Sequence, residues 1–155
     1  MAFNVSAMKN IYRTPESKHD ILCLHFVMYP GSDRQFLGMV GMHGTWEANH
    51  AMHQCDLMIA VGSRFDDRVT GRLTAFAPNS RKIHIDIDRS SINKSVHVDL
   101  GVVGDSGAVL SEVIKEWKRR KARVDGKALD SWWKRIDAWR GRDCLRYQKS
   151  KTIIK

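Results

Sequence analysis

The chain has 155 residues, of which 43% are hydrophobic, and a formal net charge of +9 at pH 7. This length and apolar content fit one globular domain and exclude a chain that is disordered by composition. The longest apolar run, Ile21 to Met28, is interrupted by His25 and is far shorter than the ~20 residues of a membrane-spanning helix. The N-terminus lacks the layout of a signal peptide, so we expect a cytoplasmic protein with no membrane partner.

The cysteines and the basic residues indicate no special partner. Cys23, Cys55 and Cys144 are odd in number and widely spaced, which fits free thiols in a reducing compartment better than a disulfide framework. Much of the positive charge lies in the run 115–123 and near the C-terminus. A basic run at a helix end is usually a solvated face, and no aromatic-interleaved groove accompanies this one. We therefore expect no nucleic-acid partner.

Strands and helices alternate through the middle of the chain, whereas residues 1–28 have weak periodicity and predict no element. The later pattern predicts, in order, a strand edge at Leu37–Val40, a helix at Thr45–Gln54, a buried strand at Leu57–Val61, a helix at Val69–Phe76, a turn at 78–80, a half-covered strand at Lys82–Asp88, a short strand at Val96–Val103 and a helix at Gly107–Lys118. This alternation predicts an α/β fold, a Rossmann-like parallel sheet with helices on both faces.

Three loops that follow predicted strands are candidates for a ligand site. They are Gly41–Thr45, Gly62–Arg68 and Asp86–Ser91. Ligands of such sheets bind at the carboxyl ends of the strands, so the three loops are expected to line one crevice. Gly38, Gly41 and Gly44 are spaced by threes, which matches no phosphate-binding fingerprint, and tight turns needed for packing are an equal explanation for them.

Charged residues in these loops suggest nucleotide binding, with structural alternatives left open. A carboxylate at a strand end, such as Asp86 or Asp88, can accept hydrogen bonds from ribose or ribityl hydroxyls, or it can cap a turn. Arg64 and Arg68 flank Asp66 and Asp67, where the arginines can grip a phosphate or carboxylate, or can pair with the aspartates. We therefore interpret the chain as a nucleotide-binding module.

We predict neither a metal site nor catalytic machinery in the chain. His50 and His53 share a helix face, but His43 precedes the predicted helix and Cys55 falls at its exit, so the four do not have the spacing of a zinc site. No nucleophile motif and no convincing acid/base pair is present.

Several segments together resemble the acetolactate synthase large catalytic subunit. They are Tyr29-Pro30-Gly31-Ser32-Asp33-Arg34-Gln35, Leu37 to Thr45, Glu47-Ala48-Asn49, Arg64-Phe65-Asp66-Asp67-Arg68-Val69-Thr70-Gly71 and Ile83-His84-Ile85-Asp86-Ile87-Asp88. The resemblance covers about residues 29–155. It divides the chain into a non-matching segment 1–28, an FAD-binding central domain 29–120 and a helical linker 121–155 toward a C-terminal thiamine diphosphate-binding domain.

The resemblance implies an activity and a set of cofactors. Enzymes of this family are flavoproteins and transferases of branched-chain amino acid biosynthesis. With thiamine diphosphate and magnesium they condense pyruvate with a second 2-keto acid, and their central domain binds FAD. A homodimer and a regulatory small subunit are partners of the full enzyme, whose thiamine diphosphate and magnesium sites lie outside residues 1–155.

Site residues follow from the same resemblance, position by position. Met42, His43, Asp67 and Arg68 would lie toward the active-site channel, with Arg68 steering a keto-acid carboxylate. The implied FAD-binding residues are Gly41, Met42, His43, Gly44, Thr45, Gly62, Ser63, Arg64, Asp66, Arg68, Asp86, Ile87, Asp88, Gly104 and Asp105.

Departures from the family pattern lead to three hypotheses. Residues before Tyr29 do not resemble the family, and Arg89 and Gly101 stand where proline is usual. We hypothesise a frame change or gene break just upstream of Tyr29, which would leave a truncated and inactive subunit with Trp132, Trp133, Ile136 and Trp139 as an exposed apolar patch. The alternatives are a stand-alone module that binds FAD, ADP or NAD, and a non-functional or purely interacting remnant that assembles with complete subunits or with nothing.

Overall fold

Four parallel strands form the sheet of a computed structural model that describes residues 21–25, 31–121 and 125–147. They are β1 (Ile21–His25), β2 (Leu57–Val61), β3 (Arg81–Asp86) and β4 (Leu100–Val103), side by side in chain order. β2 is apolar throughout, as expected of a strand that is covered on both faces. The α/β fold with a parallel sheet is confirmed.

Helices cover both faces of this sheet. They are α1 (Trp46–Gln54), the single turn α2 (Asp67–Thr70), α3 (Ser106–Arg119) and α4 (Gly126–Arg140), with short 3-10 helices at Leu73–Ala75 and Arg89–Ser91. On one face, α1 and α4 contribute Met52, Trp132 and Ile136 to a core that also contains Met58 and Phe65. On the other, Val109 of α3 packs with β-strand residues Ile83 and Ile85. No helix in the described ranges is long and apolar enough to cross a membrane.

Helix α4 is attached to the sheet domain by its own apolar residues. Trp132 is 4% exposed and Ile136 is 2% exposed, and Trp133 and Trp139 are partly buried against the same core. The expected exposed tryptophan patch is therefore wrong, because α1 and the adjoining core cover most of it. The predicted linker helix exists, but it packs on the domain.

Arginine side chains fix α4 to the segment that leads into the first glycine loop. Arg34 forms an ion pair of 2.7 Å with Asp137, and Arg140 donates hydrogen bonds to the backbone oxygens of Arg34 and Phe36 at 2.5 and 3.0 Å. The Arg34 guanidinium also lies 5.3 Å from the ring of Trp133. The position of residues 34–36 thus depends on α4.

The sequence missed one strand and predicted another that does not form. β1 lies within the segment 1–28 for which no element was predicted, and it pairs in parallel with β2 along its whole length. Most of that segment, and the end of the predicted linker at 148–155, lie outside the described residues. Leu37–Val40 is irregular rather than a strand, because Gly38 and Gly41 both have positive φ angles, of 94° and 93°.

Three predicted elements are shorter than expected. The strand predicted at Lys82–Asp88 ends at Asp86, and it is buried on both faces rather than half covered. The helix predicted at Val69–Phe76 is interrupted at Gly71, whose φ of 54° no helix can accommodate, and splits into α2 and a 3-10 turn. The strand predicted from Val96 begins only at Leu100, because the Val98 amide is turned toward the Asn93 side chain at 2.8 Å. Val96 and Val98 are nevertheless buried, so their apolar character reflects the core and not a strand.

Candidate functional site

Close backbone packing explains the glycines of the first loop. A Cβ atom on Gly41 would lie 2.3 Å from the backbone oxygen of Arg68, and one on Gly44 would lie 2.5 Å from that of Met39. On Gly38 it would meet the Thr45 methyl group at 2.6 Å. Gly41 and Gly44 therefore let two backbone segments approach, and Gly38 makes room for the Thr45 side chain, which is the packing explanation that the sequence left open.

Polar side chains of α1 hold this loop in place. The Asn49 side chain makes two hydrogen bonds to the Gly41 backbone. Its Oδ1 accepts from the Gly41 amide at 2.7 Å, and its Nδ2 donates to the Gly41 oxygen at 2.9 Å. Thr45 caps α1 by accepting from the Ala48 amide at 3.2 Å, and its hydroxyl donates to the Leu37 oxygen at 2.5 Å. The loop is thus positioned by a helix and not by its own turns alone.

The four channel-lining candidates form one exposed group. The Met42 amide donates to the Arg68 oxygen at 2.9 Å, and the Arg68 guanidinium lies 3.8 Å from the Met42 sulfur. Arg68 also lies 3.8 Å from the Asp67 carboxylate, in a pair with both side chains well exposed. His43 is exposed beside Met42. Such a surface pair contributes little stability, so the Arg68 guanidinium is available to an anion.

The loop after β2 contributes one open surface and several structural groups. Gly62 is exposed, has a φ of 61° and has open space where a Cβ would be, and its amide donates to the Ile85 oxygen at 2.8 Å. Arg64 is exposed, whereas Ser63 and Phe65 are buried. Asp66 caps α2 through a 3.2 Å hydrogen bond from the Val69 amide, so its carboxylate has a structural role.

Two carboxylates lie at the end of β3. Asp88 accepts hydrogen bonds from the neighbouring Ser90, and Asp86 lies beside the buried His84. Both oxygens of Asp88 accept hydrogen bonds from Ser90, at 2.8 Å from its amide and 2.7 Å from its hydroxyl, and these bonds lower the pKa of Asp88. Asp86 accepts from the Asp88 amide at 2.8 Å through Oδ1 only. Ile87 between them is exposed. Asp88 is thus a turn cap, and Asp86 retains acceptor capacity.

The start of α3 completes the edge. The Gly104 amide donates to the Asp86 oxygen at 2.9 Å, and Asp105 caps α3 by accepting from the Ala108 amide at 2.9 Å. Backbone hydrogen bonds therefore connect the ends of β2, β3 and β4, and a separate contact joins the first loop to α2. The histidines on α1 have packing roles instead: the His50 ring lies 4.2 Å from that of Trp46, and the His53 ring lies edge-on to Phe76.

A buried histidine lies beneath this edge. His84 of β3 is 0% exposed, and neither of its ring nitrogens has a hydrogen-bond partner among the described residues. Its Nε2 lies 3.6 Å from Asp86 Oδ2, and the Phe65 ring lies edge-on at 5.0 Å. Burial lowers the pKa of His84, although the Asp86 carboxylate and the Ser63 backbone oppose that shift. The imidazole is therefore neutral at pH 7.

We expect acidification to destabilise the domain through His84. The unfolded imidazole titrates near its ordinary value of 6.5 and the folded one lower, so stability is complete above that pH and is lost as the pH falls toward the folded pKa. One proton gives a slope of at most about 1.4 kcal/mol per pH unit. Urea unfolding at pH 7.5 and 5.5 should show a larger loss for the unchanged chain than for His84→Leu, and equal losses would contradict this assignment.

The sequence did not indicate two residues that support the site, Asn49 and His84, because each contacts another site residue only in the folded structure. Asn49 is eight residues from the glycine it holds, and only the helix between them brings the two together. His84 has a sequence signal, since the period-two pattern of β3 places it on the same face as Asp86 and opposite Ile83 and Ile85. The pattern does not show that Phe65 covers this face.

The structure is a domain of the parallel α/β class, with helices on both faces of a four-stranded sheet. Residues 26–113 match the family model described as "Thiamine pyrophosphate enzyme, central domain". The chain belongs to this family.

Several acetolactate synthases are similar to the chain. The chain is 46% identical over 129 residues to the acetolactate synthase large subunit of Haemophilus influenzae, and 44% identical over 127 residues to the isozyme 3 large subunit of Escherichia coli. Each alignment covers 82% of this chain and 22% of the relative. An acetolactate synthase of Mycobacterium avium is 47% identical over 109 residues, which are 70% of this chain and 17% of that protein. The chain spans about a fifth of the length of these relatives.

Proposed function

We propose that this chain is the FAD-binding central part of an acetolactate synthase large subunit. The observation that carries the proposal is the linkage of the segments that the resemblance assigns to flavin. The Gly62 amide binds the end of β3 and the Gly104 amide binds Asp86, so the loops after β2, β3 and β4 form one continuous edge. In parallel sheets this edge is where nucleotides bind.

The groups along this edge fit a flavin dinucleotide in chemistry. Gly62 offers an open, exposed backbone surface, and the exposed guanidinium of Arg64 suits a diphosphate. Asp86 retains an oxygen that can accept a hydrogen bond from a sugar or ribityl hydroxyl. Asp66, Asp88 and Asp105 are occupied as caps, so we assign them to the shape of the loops and not to direct recognition.

In the whole enzyme this part would position groups and would not perform the chemical step. Thiamine diphosphate, held with magnesium in other parts of the enzyme, supplies the carbanion chemistry that joins pyruvate to the second 2-keto acid. Arg68 is the residue of this chain that we propose to orient a keto-acid carboxylate, since its exposed guanidinium makes only long contacts of 3.8 Å with Asp67 and Met42 among the described residues. A homodimer and a regulatory small subunit are the proposed partners.

Purified chain should bind FAD, and Arg64→Ala should weaken that binding about tenfold. Losing a charge-assisted hydrogen bond to a phosphate costs about 1.5–3 kcal/mol, which corresponds to a tenfold or larger change in Kd. Quenching of flavin fluorescence during titration measures this Kd, and native mass spectrometry gives the stoichiometry and the oligomeric state. The matched control is Arg72→Ala, which removes another exposed arginine between β2 and β3.

Other ligands decide between the alternatives. Preference for ADP or NAD over FAD would indicate a different dinucleotide module, and absence of binding by the unchanged chain would overturn the proposal. Equal effects of the Arg64 and Arg72 substitutions would show that charge alone, rather than the crevice, attracts the flavin.

We expect the 155-residue chain alone to form no acetolactate from pyruvate. The family resemblance assigns the thiamine diphosphate site to other domains, and we identify no nucleophile or acid/base pair among the residues that the structure describes. The measurement is acetolactate formation with pyruvate, thiamine diphosphate, magnesium and FAD. Turnover by the pure chain above a no-protein control would overturn this expectation.

A further inference from the structure

A buried, unsatisfied imidazole requires a physical explanation. Leaving a buried polar group unpaired is destabilising, so such groups usually have a partner or a role. His84 is fully buried, and its register neighbours on β2 and β4 are Ala60 and Gly101, which offer no polar side chain. The polar groups that affect the pKa of His84 are the Asp86 carboxylate and the Ser63 backbone, and these are its candidate partners.

Those groups belong to two different loops of the crevice. Asp86 is the last residue of β3, where the loop 86–91 begins, and its Oδ2 lies 3.6 Å from the His84 Nε2, while Oδ1 already accepts from the Asp88 amide at 2.8 Å. Phe65, in the loop after β2, has a φ of 50° and its ring lies 5.0 Å from the imidazole, nearly perpendicular to it. The imidazole thus packs under both loops at once.

The distance between His84 and Asp86 is slightly too long for a hydrogen bond. Closing it from 3.6 Å to the usual ~2.9 Å needs a movement of only about 0.7 Å. The Asp86 side chain is only 12% exposed, so its carboxylate has few water molecules with which to replace the histidine. An N–H on Nε2 is therefore the natural donor to Oδ2.

We propose that His84 is a positioning residue that holds the Asp86 carboxylate toward the crevice, where Asp86 accepts a hydrogen bond from a hydroxyl of the bound nucleotide. This inference rests on the proposed FAD binding. His84 itself touches no ligand. It acts by fixing which Asp86 oxygen faces the histidine and which lone pairs face the ligand.

The first test reads the His84–Asp86 contact without flavin. A long-range proton–nitrogen correlation spectrum of the histidine rings at pH 7.5, with His84→Gln used to assign the signal, should show a neutral imidazole with its proton on Nε2. In Asp86→Asn that preference should weaken, because the carboxylate no longer selects the donor. A proton on Nδ1, turned to the competing backbone of Ser63, or a doubly protonated ring would overturn the proposal.

The second test is a double-mutant cycle on FAD affinity. His84→Leu should weaken binding about tenfold, the effect of one hydrogen bond to a charged group. His84→Gln, which keeps an N–H at the Nε2 position, should bind within about threefold of the unchanged chain. In an Asp86→Asn background, His84→Leu should cause no further loss, since its effect passes through that carboxylate.

A purely structural role gives a different pattern. His84→Leu would then lose the same factor in both backgrounds, and His84→Gln would not rescue it, which would overturn the proposal. Thermal melts confirm that every variant is folded at the titration temperature, and His84→Asn, which lacks a donor at the Nε2 position, replaces the leucine variant if that one does not fold. Absence of FAD binding by the unchanged chain would overturn the proposed function and the ligand half of this inference, whereas the ring spectrum still decides the contact.

Discussion

Gly41→Ala is expected to lower the free energy of unfolding by about 3 kcal/mol or more and to abolish flavin binding. Two costs combine at this position. The φ of 93° is strained for any residue with a Cβ, and the added methyl group would lie 2.3 Å from the Arg68 oxygen and 2.9 Å from the Val69 Cα. Both contacts are backbone, so neither can rotate away. The loop and α2 would have to separate.

Gly71→Ala is the matched control for this variant. Gly71 also has a positive φ, of 54°, but a Cβ there would meet nothing within 4 Å. It therefore carries the backbone strain without the clash, at an expected cost of about 1–2 kcal/mol. Urea unfolding followed by circular dichroism measures both variants. Equal losses would show that the approach of Gly41 to Arg68 is not a tight contact.

Trp132→Ala is expected to cost about 3–5 kcal/mol of unfolding free energy, the usual cost of removing a buried aromatic side chain. Trp132 is 4% exposed, contributes to the core beside α1, and lies edge-on to Trp139 at 5.7 Å. The Arg135 guanidinium lies 5.0 Å from its ring. The loss should appear in the single unfolding transition of the domain, because α4 shares its core.

Leu129→Ala is the control on the same helix, because it truncates an exposed side chain instead of a buried one. Leu129 is 42% exposed, so its truncation should cost well under about 1 kcal/mol. If Trp132→Ala were equally mild, or if α4 unfolded in a separate earlier transition, α4 would be an independent linker and not a layer of this domain.

The sequence predicted those elements whose signal is local. β2 was predicted with its observed bounds, since five consecutive apolar residues lie between Asp56 and Gly62. α1 and α3 were predicted to within one residue, because Thr45 and Asp105 are strong caps before periodic apolar residues. Leu37–Val40 has the composition of a strand, but Gly38 packs against the Thr45 side chain and Gly41, just after the segment, packs against the α2 backbone, both with positive φ angles.

The candidate site was predictable in its residues and not in their roles. The acidic residues at the ends of the elements looked equivalent in sequence, yet Asp66, Asp88 and Asp105 cap helical turns while Asp86 faces a buried imidazole. That difference depends on where each backbone turns after its strand. It also depends on Phe65, which lies 19 positions before His84 and reaches it only across the sheet.

The attachment of α4 to residues 34–36 has a consequence for exchanging this domain between relatives. The Arg34–Asp137 and Arg140–Phe36 contacts join residues 34–36 to the end of α4, and the first glycine loop begins directly after residue 36. A chimaera that takes residues up to 120 from one parent and the remainder from another would combine Arg34 of one parent with the α4 helix of the other. A junction after Gly141 takes both partners of each contact from the same parent, and this should preserve the position of the loop.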